Sequence, residues 1–134
     1  MEFKPLLGNL QLHRRIEAAL QQQRLPHCFL LAGPEGSGKQ PLSLLLCAAF
    51  LCTDLNHRPC LHCAQCRKVY ARTHPDVIVV DDPSKRTVPV DLVRQARADA
   101  YIRPNEGARK IYIFPRAHDL NAAGQNALLK LLEE

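Results

Sequence analysis

The octet Gly33-Pro34-Glu35-Gly36-Ser37-Gly38-Lys39-Gln40 satisfies the pattern G-x-x-x-x-G-K and departs from the phosphate-loop consensus only at its last position. The apolar run Cys28-Phe29-Leu30-Leu31-Ala32 stands before it and predicts a short strand covered on both faces. A strongly apolar stretch follows and predicts a helix from about Gly38 to Phe50. Strand, glycine turn and helix in that order suit a bound phosphate. Glycines let the backbone wrap the anion, amide N–H groups point inward, the helix start adds positive potential, and Lys39 can reach the terminal phosphates.

The position that should carry a hydroxyl for Mg²⁺ is Gln40, a longer and floppier ligand for a cation that demands near-ideal geometry. A hydrolysing enzyme of this kind also needs an apolar strand ending in acidic residues. The matching strand is Ile111-Tyr112-Ile113-Phe114, and Pro115-Arg116 follows it. Asp119 lies too far along to substitute and is assigned to the N-terminus of the last helix. The candidate nucleotide or anion site is therefore Gly33, Gly36, Ser37, Gly38, Lys39, Gln40 and Arg116, with no catalytic residue and no expected Mg–ATP turnover.

Outward from the loop, strand and helix patterns alternate. Asn9 is placed to cap a helix carrying Leu12, Ile16, Ala19 and Leu20, which Pro26 ends. Val77 to Val80 read as a second strand and Lys110 to Phe114 as a third. Between them Leu92, Val93, Ala96 and Ala100 share a helical face, and Pro104 to Gly107 form a turn. Asn121 can cap a last helix through Leu132. This alternation predicts an α/β fold with a parallel sheet flanked by helices. The last helix runs to Glu134 without a stop signal, so a fragment of a longer protein is expected, with poor stability alone or pairing with another chain.

Cys60-Leu61-His62-Cys63-Ala64-Gln65-Cys66 crowds three thiols into one polar loop, and Cys52 lies just upstream. Cys52, Cys60, Cys63 and Cys66 predict a closed, structural Zn²⁺ site in a module at about residues 52–67, with His62 as a conceivable competitor. Cys28 and Cys47 lie in apolar contexts and are expected in the core.

The chain carries a formal charge of +5, and four thiolates with one dication would change that by −2. Such a charge admits a nucleic-acid partner without requiring one. The longest apolar run, Leu42 to Cys52, is too short to span a bilayer, and no secretory signal is evident, so a cytoplasmic location and no membrane partner are expected.

Arg24-Leu25-Pro26-His27, the phosphate loop, the cysteine module, His74-Pro75-Asp76, Pro104-Asn105-Glu106-Gly107 and Asn126-Ala127-Leu128-Leu129-Lys130-Leu131-Leu132-Glu133-Glu134 together resemble the clamp-loader branch of the AAA+ ATPases. The resemblance covers essentially the whole chain. It implies the N-terminal part of an AAA+ P-loop domain over residues 1–134, without the later strands, lid and collar. It also implies a part in loading the sliding clamp of a replicative DNA polymerase onto primed DNA. The impaired loop and Pro115-Arg116 are more similar to a non-hydrolysing, stator-like subunit, acting through contacts with gamma/tau and delta subunits and only indirectly with clamp and DNA. Two further readings stand beside this one. One is an active ATPase of the gamma/tau type. The other is a zinc-bearing nucleic-acid-binding domain on a dead nucleotide scaffold, suggested by Arg58, Arg67, Lys68 and Arg72 around the cysteines.

Overall fold

The computed structural model describes residues 10–22, 24 and 26–133; Asn9 and its predicted cap lie outside them. The chain divides into two compact units, residues 1–74 and 75–134.

The first unit is built on three helices, α1 (Leu10–Gln21), α2 (Lys39–Leu51) and α3 (Ala64–Tyr70). Helix α1 presents Ile16 and Leu20, one turn apart, to Leu42, Leu45, Leu46 and Ala49 of α2. Helix α2 is apolar nearly all round, as suits an element covered on several sides. Its other face, with Ala48 fully buried, meets α3, whose Cys66 and Val69 are buried. Small residues there let the backbones close up, and Cys66 Sγ sits 3.7 Å from the Ala48 carbonyl oxygen.

The expected strand at Cys28–Ala32 does not form. Leu30 is 84% exposed and Phe29 39%, the latter set against Phe50 with ring centroids 5.6 Å apart. A strand exists only where a neighbour takes up its N–H and C=O groups, and no described residue of this unit lies alongside as one. Apolar, β-prone composition cannot supply that partner. Cys28 is accordingly exposed, against expectation, whereas Cys47 is buried as expected.

In the second unit β1 (Val77–Val79) pairs in parallel with β2 (Ile111–Ile113), in the register Val77 to Ile111, Ile78 to Tyr112 and Val79 to Ile113. Helix α4 (Val90–Asp99) lies in the crossover, and a 3₁₀ turn (Ala117–Asp119) leads to α5 (Ala122–Glu133). Val80, Val88, Val93, Ala96, Leu120 and Ala127 form the core, with Ile78, Tyr112, Phe114 and Leu128 packed on it. The two predicted strands and two predicted helices of this half are all present. Asn121 caps α5 as expected, its Oδ1 accepting the Gly124 N–H at 2.8 Å. Asp119, three residues before α5, has its carboxylate 3.5 Å from both Arg116 Nη1 and His118 Nε2.

Two polar ties fasten the unit. Asp99, at the end of α4, accepts the Tyr112 hydroxyl at 2.6 Å and Lys110 Nζ at 3.1 Å. Asp76, fully buried just before β1, accepts the backbone N–H groups of Asn105, Glu106 and Gly107.

Candidate metal centre and phosphate loop

Helix α2 joins both predicted sites. It starts at Lys39, at the glycine turn, and ends on Cys52, the first cysteine of the module. Its length separates the two by about 20 Å.

At the N-terminal end, Gly36 (φ 79°) and Gly38 (φ 93°) take left-handed backbone conformations that a side chain would strain. Ser37 N–H closes a turn onto the Pro34 carbonyl at 3.2 Å. Lys39 Nζ folds back to donate to the Gly33 carbonyl at 2.9 Å. Gly33, Gly36, Ser37, Gly38, Lys39 and Gln40 thus form a continuous, largely exposed turn at the helix start. Ser43, one turn on, donates its hydroxyl to the Gln40 carbonyl at 2.7 Å.

Arg116 belongs to the second unit, where β2 ends. Its Nη2 lies 2.8 Å and its Nε 2.9 Å from Asp81 Oδ1, its Nη2 also donates to the Asp82 carbonyl, and its Nη1 to the Arg86 carbonyl and Asp119. The carboxylate of Asp81 holds the guanidinium pKa above its ordinary value. Sequence reading does not single out Asp81. The available signal is its place just past an apolar strand, matching the place of Arg116 after the neighbouring one.

At the C-terminal end of α2 the Sγ atoms of Cys52, Cys60, Cys63 and Cys66 all lie within 4.8 Å of one another. Local hydrogen bonds shape the loop that brings them together. Asp54 Oδ1 accepts the N–H groups of Asn56 and His57 at 2.9 and 3.2 Å, turning the chain back after Cys52. Cys60 N–H then donates to Cys52 Sγ at 3.4 Å, Cys63 N–H to Cys60 Sγ at 3.2 Å, and Cys66 N–H to Cys63 Sγ at 3.3 Å. The last of these makes Cys63 the N-cap of α3, so a helix begins inside the cysteine run. His62 is not among the converging donors; its Nδ1 is 3.0 Å from the Cys60 carbonyl. Gln65, between two of the cysteines, is hydrogen-bonded through Oε1 to Nε2 of the buried His74.

This donor set fits zinc. Metal–sulfur bonds of about 2.3 Å put tetrahedral sulfurs roughly 3.8 Å apart, a contraction the observed cluster reaches with small adjustments. Amide N–H groups directed at sulfur stabilise thiolate, the form that binds metal. Burial pushes the Cys63 thiol up, but the backbone of Thr53 and Cys66 and the neighbouring thiols outweigh it, bringing its pKa down to about 6. Burial holds Cys52 and Cys66 above the ordinary thiol value. Four sulfur donors would leave no position for a reacting water, so the metal would hold the loop rather than do chemistry.

The geometry describes a P-loop-type helix start and a four-cysteine cluster able to hold a metal at the two ends of one helix, with a parallel βαβ unit in the same chain. Residues 8–134 match the family described as "DNA polymerase III, delta subunit", and the chain belongs to that family of clamp-loader subunits. It is 32% identical over 133 residues to DNA polymerase III subunit tau of Bacillus subtilis, covering 98% of this chain and 23% of that one. It is 30% identical over 116 residues to DNA polymerase III subunit delta' of the same organism, covering 87% of this chain and 35% of that one. DNA polymerase III subunit gamma of Buchnera aphidicola is 30% identical over 133 residues, 98% of this chain and 36% of that one. The chain therefore spans between about a fifth and a third of the length of the relatives it matches. Among the described residues no helix is long and apolar enough to cross a membrane.

Proposed function

We propose that this chain is the N-terminal part of a delta-prime-type clamp-loader subunit that does not hydrolyse ATP. It acts as a stator through contacts with gamma/tau and delta subunits, and so indirectly on the sliding clamp and primed DNA, in the cytoplasm. The observation that carries this reading is the Arg116–Asp81 ion pair at 2.8 Å. Hydrolysis of the P-loop kind needs a metal-holding carboxylate beyond the strand that β2 represents. Here a guanidinium stands after that strand, and its N–H donors engage Asp81, Asp119 and the carbonyls of Asp82 and Arg86. Gln40 in place of a hydroxyl supports the same reading from the other side of the reaction. Gly33, Gly36, Ser37, Gly38 and Lys39 retain the means to hold an anion without magnesium. Arg116 has a smaller claim on that anion than its position in the sequence implies, because its donors are committed within its own unit. Cys52, Cys60, Cys63 and Cys66 hold structural zinc in this reading.

A second reading, an active gamma/tau-type ATPase, is favoured by one finding: tau and gamma relatives match nearly the whole chain, at identities similar to the delta' relative. Magnesium-dependent ATP turnover separates the two. The stator reading expects none from the full-length subunit. Turnover that disappears in Lys39→Ala would replace it with the ATPase.

A further inference from the structure

Between α4 and α5 lies an open groove of about 280 Å³ lined by Arg94, Arg97, Ala123, Asn126, Ala127 and Lys130. Arg94 and Arg97 are one turn apart on α4. The α5 residues follow the i, i+3, i+4, i+7 spacing of a single helical stripe. Among the described residues that line the groove there are three cations and no carboxylate. This is local patterning, not average charge: residues 75–134 hold nine Lys and Arg against nine Asp and Glu. Arg94 pairs with Asp91 at 3.5 Å, and both side chains are more than half exposed, so that pair offers little resistance to a competing anion.

We propose that this groove docks an acidic segment of a partner protein, with carboxylates on the exposed Arg94 and Lys130 and an apolar side chain on the Ala123–Ala127 floor. The floor decides the class of partner. Small apolar side chains let a peptide side chain approach closely, and Asn126 offers an amide to a peptide backbone. A nucleic-acid strand would leave the alanines unused, and among the described residues no aromatic ring lines the groove for a base to stack on. The guanidinium of Arg94 can bind a carboxylate through two parallel hydrogen bonds, as it could a phosphate, so the floor and not the cation makes the choice. The site uses neither the phosphate loop nor the cysteines, so it stands whether or not the chain hydrolyses ATP.

The test is fluorescence anisotropy with the full-length subunit and a fluorescein-labelled Glu-rich peptide carrying a central Leu pair. A Leu-free Glu peptide and an oligothymidylate serve as comparisons. The Leu-bearing peptide should bind best, and Arg94→Glu with Lys130→Glu should weaken it roughly tenfold or more. Lys85→Glu, a charge reversal outside the groove, should leave binding unchanged. Both groove positions are exposed, so an unchanged melting curve should accompany the loss; if the double reversal unfolds the chain, Arg94→Gln with Lys130→Gln is the variant to read. Absence of peptide binding, equal affinity in the folded groove variants, or tighter oligothymidylate binding lost with the same substitutions would each overturn the proposal.

Discussion

The carboxylate of Asp76 accepts the backbone N–H of Gly107 at 2.6 Å, across 31 residues of sequence. The adjacent N–H groups of Asn105 and Glu106 point at the same carboxylate. This explains why His74-Pro75-Asp76 and Pro104-Asn105-Glu106-Gly107 stand out together among the family-like segments: one supplies the acceptor for the other's turn. The turn in turn delivers the chain into β2, where Ile111 N–H bonds the Asp76 carbonyl at 2.8 Å and sets the sheet register.

Removing the Asp76 carboxylate strands several backbone donors at once. Asp76→Ala is expected to cost on the order of 2–4 kcal/mol, read as a lower urea midpoint with little change in slope. The three converging N–H groups outweigh burial and hold the Asp76 pKa down to about 2. A depressed folded-state pKa gives stability that is present above the unfolded value near 3.8 and is lost as pH falls from there toward 2. Asp76→Asn should therefore flatten the acid limb of the stability curve while lowering its plateau. A variant with the parent's full acid dependence would show that another carboxyl dominates.

The opposite sign applies to Tyr112. Burial, then the hydrogen bond to Asp99, raises its hydroxyl pKa above the ordinary 10. That contribution is complete below pH 10 and fades as pH climbs through the raised value. Tyr112→Phe should cost about 1–2 kcal/mol at neutral pH, because a hydrogen bond to a charged acceptor is lost. Its stability should also fall less steeply above pH 10 than the parent's, in guanidinium melts.

Zinc content and folding should move together in the cysteine module. A bound zinc would supply on the order of 10 kcal/mol of organising free energy to this loop. Chelation, or Cys63→Ser, should leave α3 and residues 52–63 unprotected in hydrogen exchange, with the second unit little changed. Retained protection in a zinc-free sample would mean that Asp54 and the N–H to sulfur bonds suffice.

Arg116 ties the loop after β1 to the end of β2. Arg116→Ala should expose backbone amides between Asp81 and Arg86 to exchange and lower the melting temperature, because Asp81 loses its counter-charge in a half-closed setting. Arg116→Lys should restore little, since one ammonium cannot span Asp81 and two carbonyls. Equal exchange in parent and alanine variant would remove Arg116 as the fastener.

Much of this protein is legible residue by residue. The G-x-x-x-x-G-K spacing names a turn whose left-handed glycines open α2, the cysteine spacing names the sulfurs that converge, and Asn121 announces the start of α5. Each depends on neighbours within a few positions, which the linear order already places together. Tertiary structure alone decided the rest. An apolar run such as Cys28–Ala32 becomes a strand only if a partner lies alongside, and the described residues provide none. Asp76 finds the 105–107 turn, Arg116 finds Asp81, and Arg94, Arg97 and Lys130 come to share a groove, each through contacts spanning tens of residues. No local spacing encodes those pairs. They exist because two helices and a parallel sheet pack on one apolar core, which carries their polar edges into register.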